Sequence, residues 1–327
     1  MLTGLRERIL IAVVAVLVGG AVGYRLLAVR PAPVPQPVSP QPAAQDESEI
    51  SLSTTTETSL EEIQEKIAAW KERLVAANTR GDEFRVATLT DPMEPSAPVV
   101  PPSVHVPILT YHSTRFLRKS DTRLIKYFDV APNIFGQQMK YLKDNGYTSI
   151  SFDALVEAIA GTTTLPEKPV IISFDDGWRN QYLDAFPILK KFGFTATFFV
   201  WTRAIGHHRN FMTWDQLKEM HAAGMHIASH TLTHQMLNRI RDEVVLRRQI
   251  FESKKIIEEK LGAPVTVFAY PYGLYNARVV ALVKAAGYVA ARGVYSGTTH
   301  SVADLYTLRT IIATSDMAAF TRALEQE

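Results

Sequence analysis

From Val104 to the C-terminus, apolar runs typical of β-strands alternate with amphipathic stretches that have helical spacing. The predicted strands are Val106–Tyr111, Tyr147–Ser151, Val170–Phe174, Thr195–Val200, His226–Ser229, Val265–Tyr270, Tyr288–Ala291 and Leu305–Ile312. The predicted helices are Ile134–Asp144, Asp153–Ala160, Tyr182–Phe192, Trp214–Ala223, Val244–Leu261 and Ala277–Ala286. Repeated strand-then-helix units imply a parallel sheet with helices outside it. The pattern therefore predicts an α/β fold, a closed or nearly closed (β/α) barrel whose functional groups lie where the strands end.

Two adjacent carboxylates, Asp175 and Asp176, end the strand Val170–Phe174, and Gly177 follows them. Side chains alternate along a strand, so the two carboxylates are expected to point in different directions. One of them can then bind a cation while the other takes a second role in the same pocket. Asp-Gly is also ordinary turn chemistry, so the pair alone does not distinguish a site from an acidic turn.

Two histidines four residues apart, His230 and His234, follow the strand His226–Ser229. Their imidazoles lie on one face if the segment turns helically. The chain has no cysteine, so a metal site must use His, Asp or Glu. Two histidines and an aspartate suit zinc and similar divalent ions and leave coordination positions open for water and substrate. The other histidines are predicted to be surface or supporting groups: His105, His207, His208, His221, His226 and His300.

Three motifs in order, SFDDG, SHTLTH and YPYG, resemble those of the polysaccharide deacetylases, the NodB-homology group of carbohydrate esterases. The resemblance covers Val104 to the C-terminus and implies a distorted seven-stranded barrel. It implies that Asp175 is the general base, and that a backbone N–H of Tyr272 binds the oxyanion. It also implies a divalent metal, with zinc expected and cobalt or nickel as alternatives. The metal ligands that it implies are Asp176, His230 and His234.

The sequence departs from the family pattern at two positions. The family's third motif begins with an arginine that orients the base, and Ala269 stands there. Arg292 follows a later strand and is a hypothetical replacement. The family's usual general acid is a histidine near the C-terminus, but no histidine follows His300, which lies in the polar, turn-like stretch Ser296–Ser301. A branch that resembles exported poly-N-acetylglucosamine deacetylases carries this histidine in an early Tyr-His pair, so the acid is assigned to His112.

These assignments predict hydrolysis of N-acetyl groups by direct attack of a metal-activated water, with an N-acetylated polysaccharide as substrate. Poly-N-acetylglucosamine, peptidoglycan and O-acetyl esters all stay open as targets. Trp178 and Tyr275 directly follow motif residues and are the aromatic side chains expected to contact sugar rings. The alternative function is a glycan-binding or envelope-assembly protein on an inactive barrel, which Ala269 alone favours. An iron oxygenase with a two-histidine, one-carboxylate site is a third reading, but such sites commonly occupy β-sandwich scaffolds.

The N-terminal third of the chain is predicted to tether the catalytic domain, which spans 104–327. Arg6 and Arg8 precede the apolar segment Ile9–Val29, which is long enough to cross a bilayer as a helix. Residues 1–30 are therefore expected to be a cytoplasmic tip and a single-pass signal anchor in a bacterial inner or cytoplasmic membrane. A cleaved signal peptide is the alternative. Either segment would place the catalytic domain outside the cytoplasm, in the periplasm or beyond the cell.

Residues 31–103 are expected to be a Pro-, Ser- and Thr-rich linker that contains one short amphipathic helix at about 59–78. Its apolar seam over residues 60–77 is too short to be stable alone. It is predicted either to form a homodimer or to dock on the following domain. The net charge of +2 and the scattered basic residues exclude the pattern of a nucleic-acid-binding protein.

Overall fold

The computed structural model describes residues 103–325. The strands are β1 (Ser103–His105), β2 (Ile108–Tyr111), β3 (Thr148–Ser149), β4 (Pro169–Phe174), β5 (Thr197–Val200), β6 (His226–Ser229), β7 (Val267–Ala269), β8 (Ala290–Arg292), β9 (Thr299–Ser301) and β10 (Ile311–Ile312). The α-helices are α1 (Arg123–Phe128), α2 (Pro132–Asp144), α3 (Phe152–Ile159), α4 (Phe186–Phe192), α5 (Trp214–Ala222), α6 (Glu243–Leu261), α7 (Ala277–Ala285) and α8 (Met317–Leu324).

The main sheet is parallel and curled, with the strand order β10-β2-β4-β5-β6-β7-β8. Strand β3 pairs beside the start of β4. At the far end of the sheet, Arg292 forms an isolated parallel bridge with Leu308, which precedes β10 in the chain. This half-barrel with its helices confirms the α/β class and is consistent with the predicted (β/α) barrel.

Alternate residues of the central strands pack against the helices. Leu109 and Tyr111 of β2 join Ile172 and Phe174 of β4 in a buried cluster that includes Phe135 of α2. The rings of Tyr111 and Phe174 stack with 5.2 Å between centroids, and Tyr111 meets Phe135 edge-on at 5.0 Å. Because each buried ring contributes about 1.5–3 kcal/mol, this packing holds β2 and β4 in register. The two strands consequently end side by side.

The predicted helix ends agree with the observed ends within two residues wherever a capping signal is present. Thr213 and Gln216 form a capping box at the start of α5. The Asp242 side chain caps α6 at Val244 and Val245, and Gly262 ends that helix in a left-handed conformation with φ of 68°.

Two predictions for the C-terminal part are wrong. The stretch Leu305–Ile312 is not one strand, because Ile311–Ile312 alone form a strand of the sheet and Leu308 makes only an isolated bridge to Arg292. Its leucines are buried as anchors of an irregular loop, and burial alone does not reveal whether a backbone is extended. Conversely, the predicted turn Ser296–Ser301 contains β9, which pairs antiparallel with β1. Both strands are short and polar, so neither shows an apolar alternation.

The predicted tether lies outside the described residues. This applies to the anchor at 1–30, to the linker at 31–103 except its last residue, and to the helix at about 59–78, so these remain predictions. Between residues 103 and 325, no helix combines the length and the apolar character needed to cross a bilayer.

Candidate active site

The side chains selected from the sequence meet at the carboxyl edge of the curled sheet. His112 follows β2, Asp175 and Asp176 follow β4, and His230 follows β6. The tight turn Pro271–Gly273 comes two residues after β7. Since these strands are parallel members of one curled sheet, their ends bring the four segments to one site, as the barrel prediction requires.

The two adjacent aspartates separate as predicted. Asp175 is only 3% exposed, and its Oδ1 accepts a hydrogen bond from Nη2 of Arg292. Asp176 has a left-handed backbone, with φ of 75°. Its Oδ1 lies 3.3 Å from Nε2 of His234 and 3.8 Å from Nε2 of His230. One carboxylate therefore faces an arginine, and the other faces two imidazoles.

Asp176, His230 and His234 fit a divalent metal ion. Each offers one ligand atom, and these atoms all lie within 4.8 Å of one another. Nδ1 of His230 donates to the carbonyl oxygen of Ala269 at 2.8 Å, which leaves the lone pair on Nε2 directed into the site. Burial lowers the pKa of both His230 and His234 to about 4, so both rings are neutral at neutral pH and able to coordinate.

The two imidazoles converge through a bent loop and not through a helical turn. Thr231 and His234 both have positive φ, 75° and 56°. The Thr231 hydroxyl oxygen accepts a hydrogen bond from the His234 backbone N–H at 2.9 Å, which closes the bend. The Nε2 atoms of His230 and His234 thereby come within 3.1 Å. The two imidazoles therefore converge without the helical turn that the sequence analysis named as a condition for it.

Left-handed backbone conformations are concentrated in this site. Among residues 103–325, the non-glycine residues with positive φ are Asp176, Thr231, His234 and Tyr272. Each belongs to one of the three sequence motifs. Such conformations cost free energy and persist only where surrounding contacts enforce them, which is typical of functional sites.

Tyr272 lies in the tight turn after β7, with φ of 59°. Its ring centroid is 4.7 Å from that of His234. Burial, and secondarily the charge of Asp176, raises the pKa of Tyr272 to about 12, so the phenol stays protonated. The next residue must be glycine, since a Cβ on Gly273 would stand 2.9 Å from Cβ of Val294. This close packing fixes the turn that carries the Tyr272 backbone N–H.

His112 stands on the other side of Asp175, with its Nε2 3.9 Å from Oδ2 of that carboxylate. Its ring packs against Phe128 of α1 with 4.8 Å between centroids. Gln181 donates from Nε2 to the carbonyl oxygens of both His112 and Asp175, at 2.7 Å to the former. Gln181 begins a π-helical turn, and nothing in the sequence pattern singles it out. It holds the ends of β2 and β4 at a fixed separation.

His300, the last histidine of the chain, is remote from these groups. It lies on β9 and is fully buried, and its Nε2 donates to the carbonyl oxygen of Val106 at 3.0 Å. Val106 precedes β2, so His300 lies near the amino end of a strand whose carboxyl end leads to His112. This placement agrees with the choice of His112 over His300.

The Asp175 carboxyl is kept ionised by its neighbours. Burial raises its pKa, but the charge of the buried Arg292 guanidinium outweighs burial and holds the pKa below its ordinary value. A buried carboxylate beside a buried arginine can accept a proton only by giving up part of this pairing. Arg292, a tentative candidate in the sequence, is thus a direct neighbour of the proposed base.

Trp178, an aromatic residue expected to contact sugar rings, contacts the candidate metal ligand Asp176. Its indole N–H donates to Oδ2 of Asp176 at 2.9 Å, and its ring stacks on Phe211 with 4.5 Å between centroids. The Tyr275 ring packs against that of Tyr270 in a tilted arrangement, with 4.8 Å between centroids. The structure therefore gives Trp178 a supporting contact to Asp176 that the sequence did not indicate.

Known proteins are similar to this chain in sequence. A sequence model of the family described as polysaccharide deacetylase matches residues 162–291. YxkH of Bacillus subtilis (strain 168) is 34% identical over 183 residues, which make up 56% of this chain and 62% of that relative, so the chain spans under two thirds of it. The poly-beta-1,6-N-acetyl-D-glucosamine N-deacetylase of Staphylococcus aureus (strain MRSA252) is 30% identical over 202 residues, covering 55% of this chain and 68% of that protein.

A solved structure is also similar, that of the Streptococcus pyogenes deacetylase PplD in complex with acetate. It superimposes with a TM-score of 0.65 at 28% identity, over 69% of this chain and 100% of that one. The sequence relatives, the matched family model and the shared fold agree with the motifs at the strand ends. The chain therefore belongs to the polysaccharide deacetylases, a family of carbohydrate-active hydrolases.

Proposed function

We propose that the chain is a metal-dependent deacetylase that hydrolyses N-acetyl groups of an N-acetylated glycan outside the cytoplasm. The observation that carries this proposal is that a candidate metal site lies next to a carboxylate–histidine pair. Asp176, His230 and His234 offer three ligand atoms within 4.8 Å of one another, and beside them Asp175 faces His112 at 3.9 Å. Poly-β-1,6-N-acetylglucosamine is the leading substrate class, because a relative with 30% identity is named for it.

Each of the chain's own groups has a role in hydrolysis. A divalent ion held by Asp176, His230 and His234 would polarise the acetyl carbonyl and lower the pKa of a water. Asp175 takes the proton of the attacking water through Oδ2, since Arg292 binds the other oxygen, Oδ1. The backbone N–H of Tyr272 donates to the oxyanion. His112 then delivers a proton to the departing amine, which would otherwise leave as a poorly stabilised anion.

Acetate release tests the proposal. The purified chain is stripped of metal with a chelator and incubated with β-1,6-linked N-acetylglucosamine oligomers, before and after addition of zinc, cobalt or nickel. We expect release only after metal addition, with one free amine formed for each acetate. Chitin oligomers and peptidoglycan, assayed in parallel, rank the glycans. Metal-independent release, or no release from any acetylated glycan or ester by the metal-loaded chain, would refute the proposal.

The location of the activity is part of the same proposal. It depends on the predicted anchor Ile9–Val29, which lies outside the described residues. An anchored domain on a long linker would reach a polymer beyond the membrane, whereas a small diffusible substrate would not require that reach. Dimerisation through residues 60–77 stays a prediction.

Trp178→Phe is expected to weaken metal binding by about 10–100-fold, because removal of a hydrogen bond to a metal ligand typically has this effect. The phenylalanine ring can keep the stacking on Phe211, while the indole N–H to Asp176 is lost. The measurement is the dissociation constant for Zn²⁺ by competition with a chromogenic chelator.

Trp201→Phe is the matched control for this prediction. Trp201 also packs on Phe211, edge-on at 5.0 Å, and within the described chain its indole donates no hydrogen bond to Asp176. Equal Zn²⁺ affinity of Trp178→Phe and the parent chain would show that the indole N–H does not position Asp176.

A further inference from the structure

Ala269 occupies the position at which the family's third motif has an arginine that orients the base. The register of the neighbouring strand shows which residue lies beside this position. Ala269 ends β7, and its Cα pairs directly with that of Arg292 at the end of β8. The two residues therefore occupy the same level of the sheet on neighbouring parallel strands. Arg292 therefore provides an arginine on β8 beside the β7 position at which the family has one.

The Arg292 side chain is held inside the protein. It is 1% exposed, and the carbon at the centre of its guanidinium lies 4.5 Å from the centroid of the Phe199 ring. Its Nη2 donates to Oδ1 of Asp175, while its Nε is buried without a hydrogen-bond partner in the described chain. The contact with Asp175 is thus the ionic contact that offsets the cost of burying this charge.

The backbone at Arg292 is fixed from both sides. Its carbonyl oxygen accepts a hydrogen bond from the Tyr270 N–H at 3.1 Å, and on the other side it pairs with Leu308 in a parallel bridge. A guanidinium anchored in this way offers a planar donor in a set direction, which a flexible ammonium does not. It engages one oxygen of Asp175 and leaves Oδ2 facing His112 at 3.9 Å.

We propose that Arg292 is the positioning residue for Asp175, and that it performs from β8 the task that an arginine at the position of Ala269 performs elsewhere in the family. This inference rests on the proposed function, since Asp175 is the base of that reaction. Arg292 does not touch the substrate. It orients the carboxylate so that Oδ2 can take the proton of the attacking water.

A role limited to charge balance makes a different prediction from a positioning role. A lysine at this position keeps a positive charge near Asp175 but not the planar, directional donor. If Arg292 only balances charge, Arg292→Lys should keep both thermal stability and kcat. If Arg292 positions Asp175, Arg292→Lys should keep thermal stability but lose kcat.

We expect Arg292→Lys to lower kcat for acetate release by at least tenfold, and Arg292→Ala by about 10²-fold, with KM and bound zinc unchanged. The double variant Ala269→Arg/Arg292→Ala returns the arginine to β7 and is expected to recover at least tenfold over Arg292→Ala. Arg248→Ala is the control, because Arg248 is exposed and pairs with Glu252 within α6. It should leave kcat unchanged.

The two proposals fail in different ways. An inactive parent chain contradicts the proposed function, and the orientation of Asp175 can then be read without substrate from a crystal structure of Arg292→Lys. We expect the Asp175 carboxylate to rotate away from the place that it has in the parent chain. An unmoved carboxylate in that crystal would refute the positioning role of Arg292. So would an active parent chain whose kcat survives in a folded Arg292→Lys variant.

Discussion

Asp175→Asn is expected to lower kcat for acetate release by about 10²–10⁴-fold while the chain keeps its metal ion. The substitution removes the group that accepts the water's proton. It leaves Asp176, His230 and His234 in place, and these offer the ligand atoms that lie within 4.8 Å of one another. Asparagine is preferred to alanine because its amide oxygen can still accept the hydrogen bond from Arg292, which would otherwise be a buried charge without a partner.

The adjacent residue supplies the matched control. Asp176→Asn removes a charged ligand atom that lies 3.3 Å from Nε2 of His234, so bound zinc should fall first and activity with it. Zinc content after dialysis and kcat at saturating zinc separate the two effects. We expect Asp175→Asn to remain inactive at any zinc concentration, whereas excess zinc partly restores Asp176→Asn. Loss of zinc in both variants alike would make Asp175 a metal ligand and contradict its assignment as the base.

The site was predictable from the sequence to the extent that its residues lie at strand ends. A continuous apolar run locates the end of a buried strand, and parallel strands end at one edge, so Asp175, Asp176 and His230 were expected at the same edge of the sheet. The four-residue spacing added His234, and the resemblance assigned Asp176 as the metal ligand and Asp175 as the base. Neither argument needs the exact path of the connecting loops, so the site forms although the segment around His234 is a bent loop and not a helical turn.

The groups that orient the site were harder to predict. Gln181 holds the carbonyls of His112 and Asp175 through a π-helical turn, whose single extra residue has no sequence signature. Ala269 orients the His230 ring by accepting its Nδ1–H through a backbone oxygen, which any residue type provides. Arg292 was recognisable only as a charged residue after an apolar strand. Its pairing with Asp175 depends on strand register across the sheet, and local sequence patterns do not encode which strands become neighbours.

The same reasoning explains the errors near the C-terminus. Leu305 and Leu308 are buried beside the sheet edge without alternating with exposed residues on an extended strand. Thr299–Ser301 form a strand because β1 offers a partner, not because their side chains favour one. Short edge pairings of this kind are decided by tertiary contacts.

His112→Asn should reduce kcat for amide substrates by about 10²–10⁴-fold, the range typical of a lost general acid. His112 is suited to this role by its place beside the base, with Nε2 3.9 Å from Oδ2 of Asp175, and by its partly open side chain. Its ring rests on Phe128, so the imidazole has a fixed direction. The variant should keep its metal content, because His112 is not among the ligand atoms of Asp176, His230 and His234.

The leaving group distinguishes an acid from a residue that only shapes the site. An aryl acetate departs as a phenolate and needs little protonation, whereas a sugar amine departs only with a proton. If His112 is the acid, His112→Asn should lose far more activity on N-acetylglucosamine oligomers than on an aryl acetate. His226→Asn is the control, since His226 begins β6 at the opposite end of the sheet. Equal losses on both substrates would mean that His112 maintains the geometry of Asp175, and the proton would then have to come from another group.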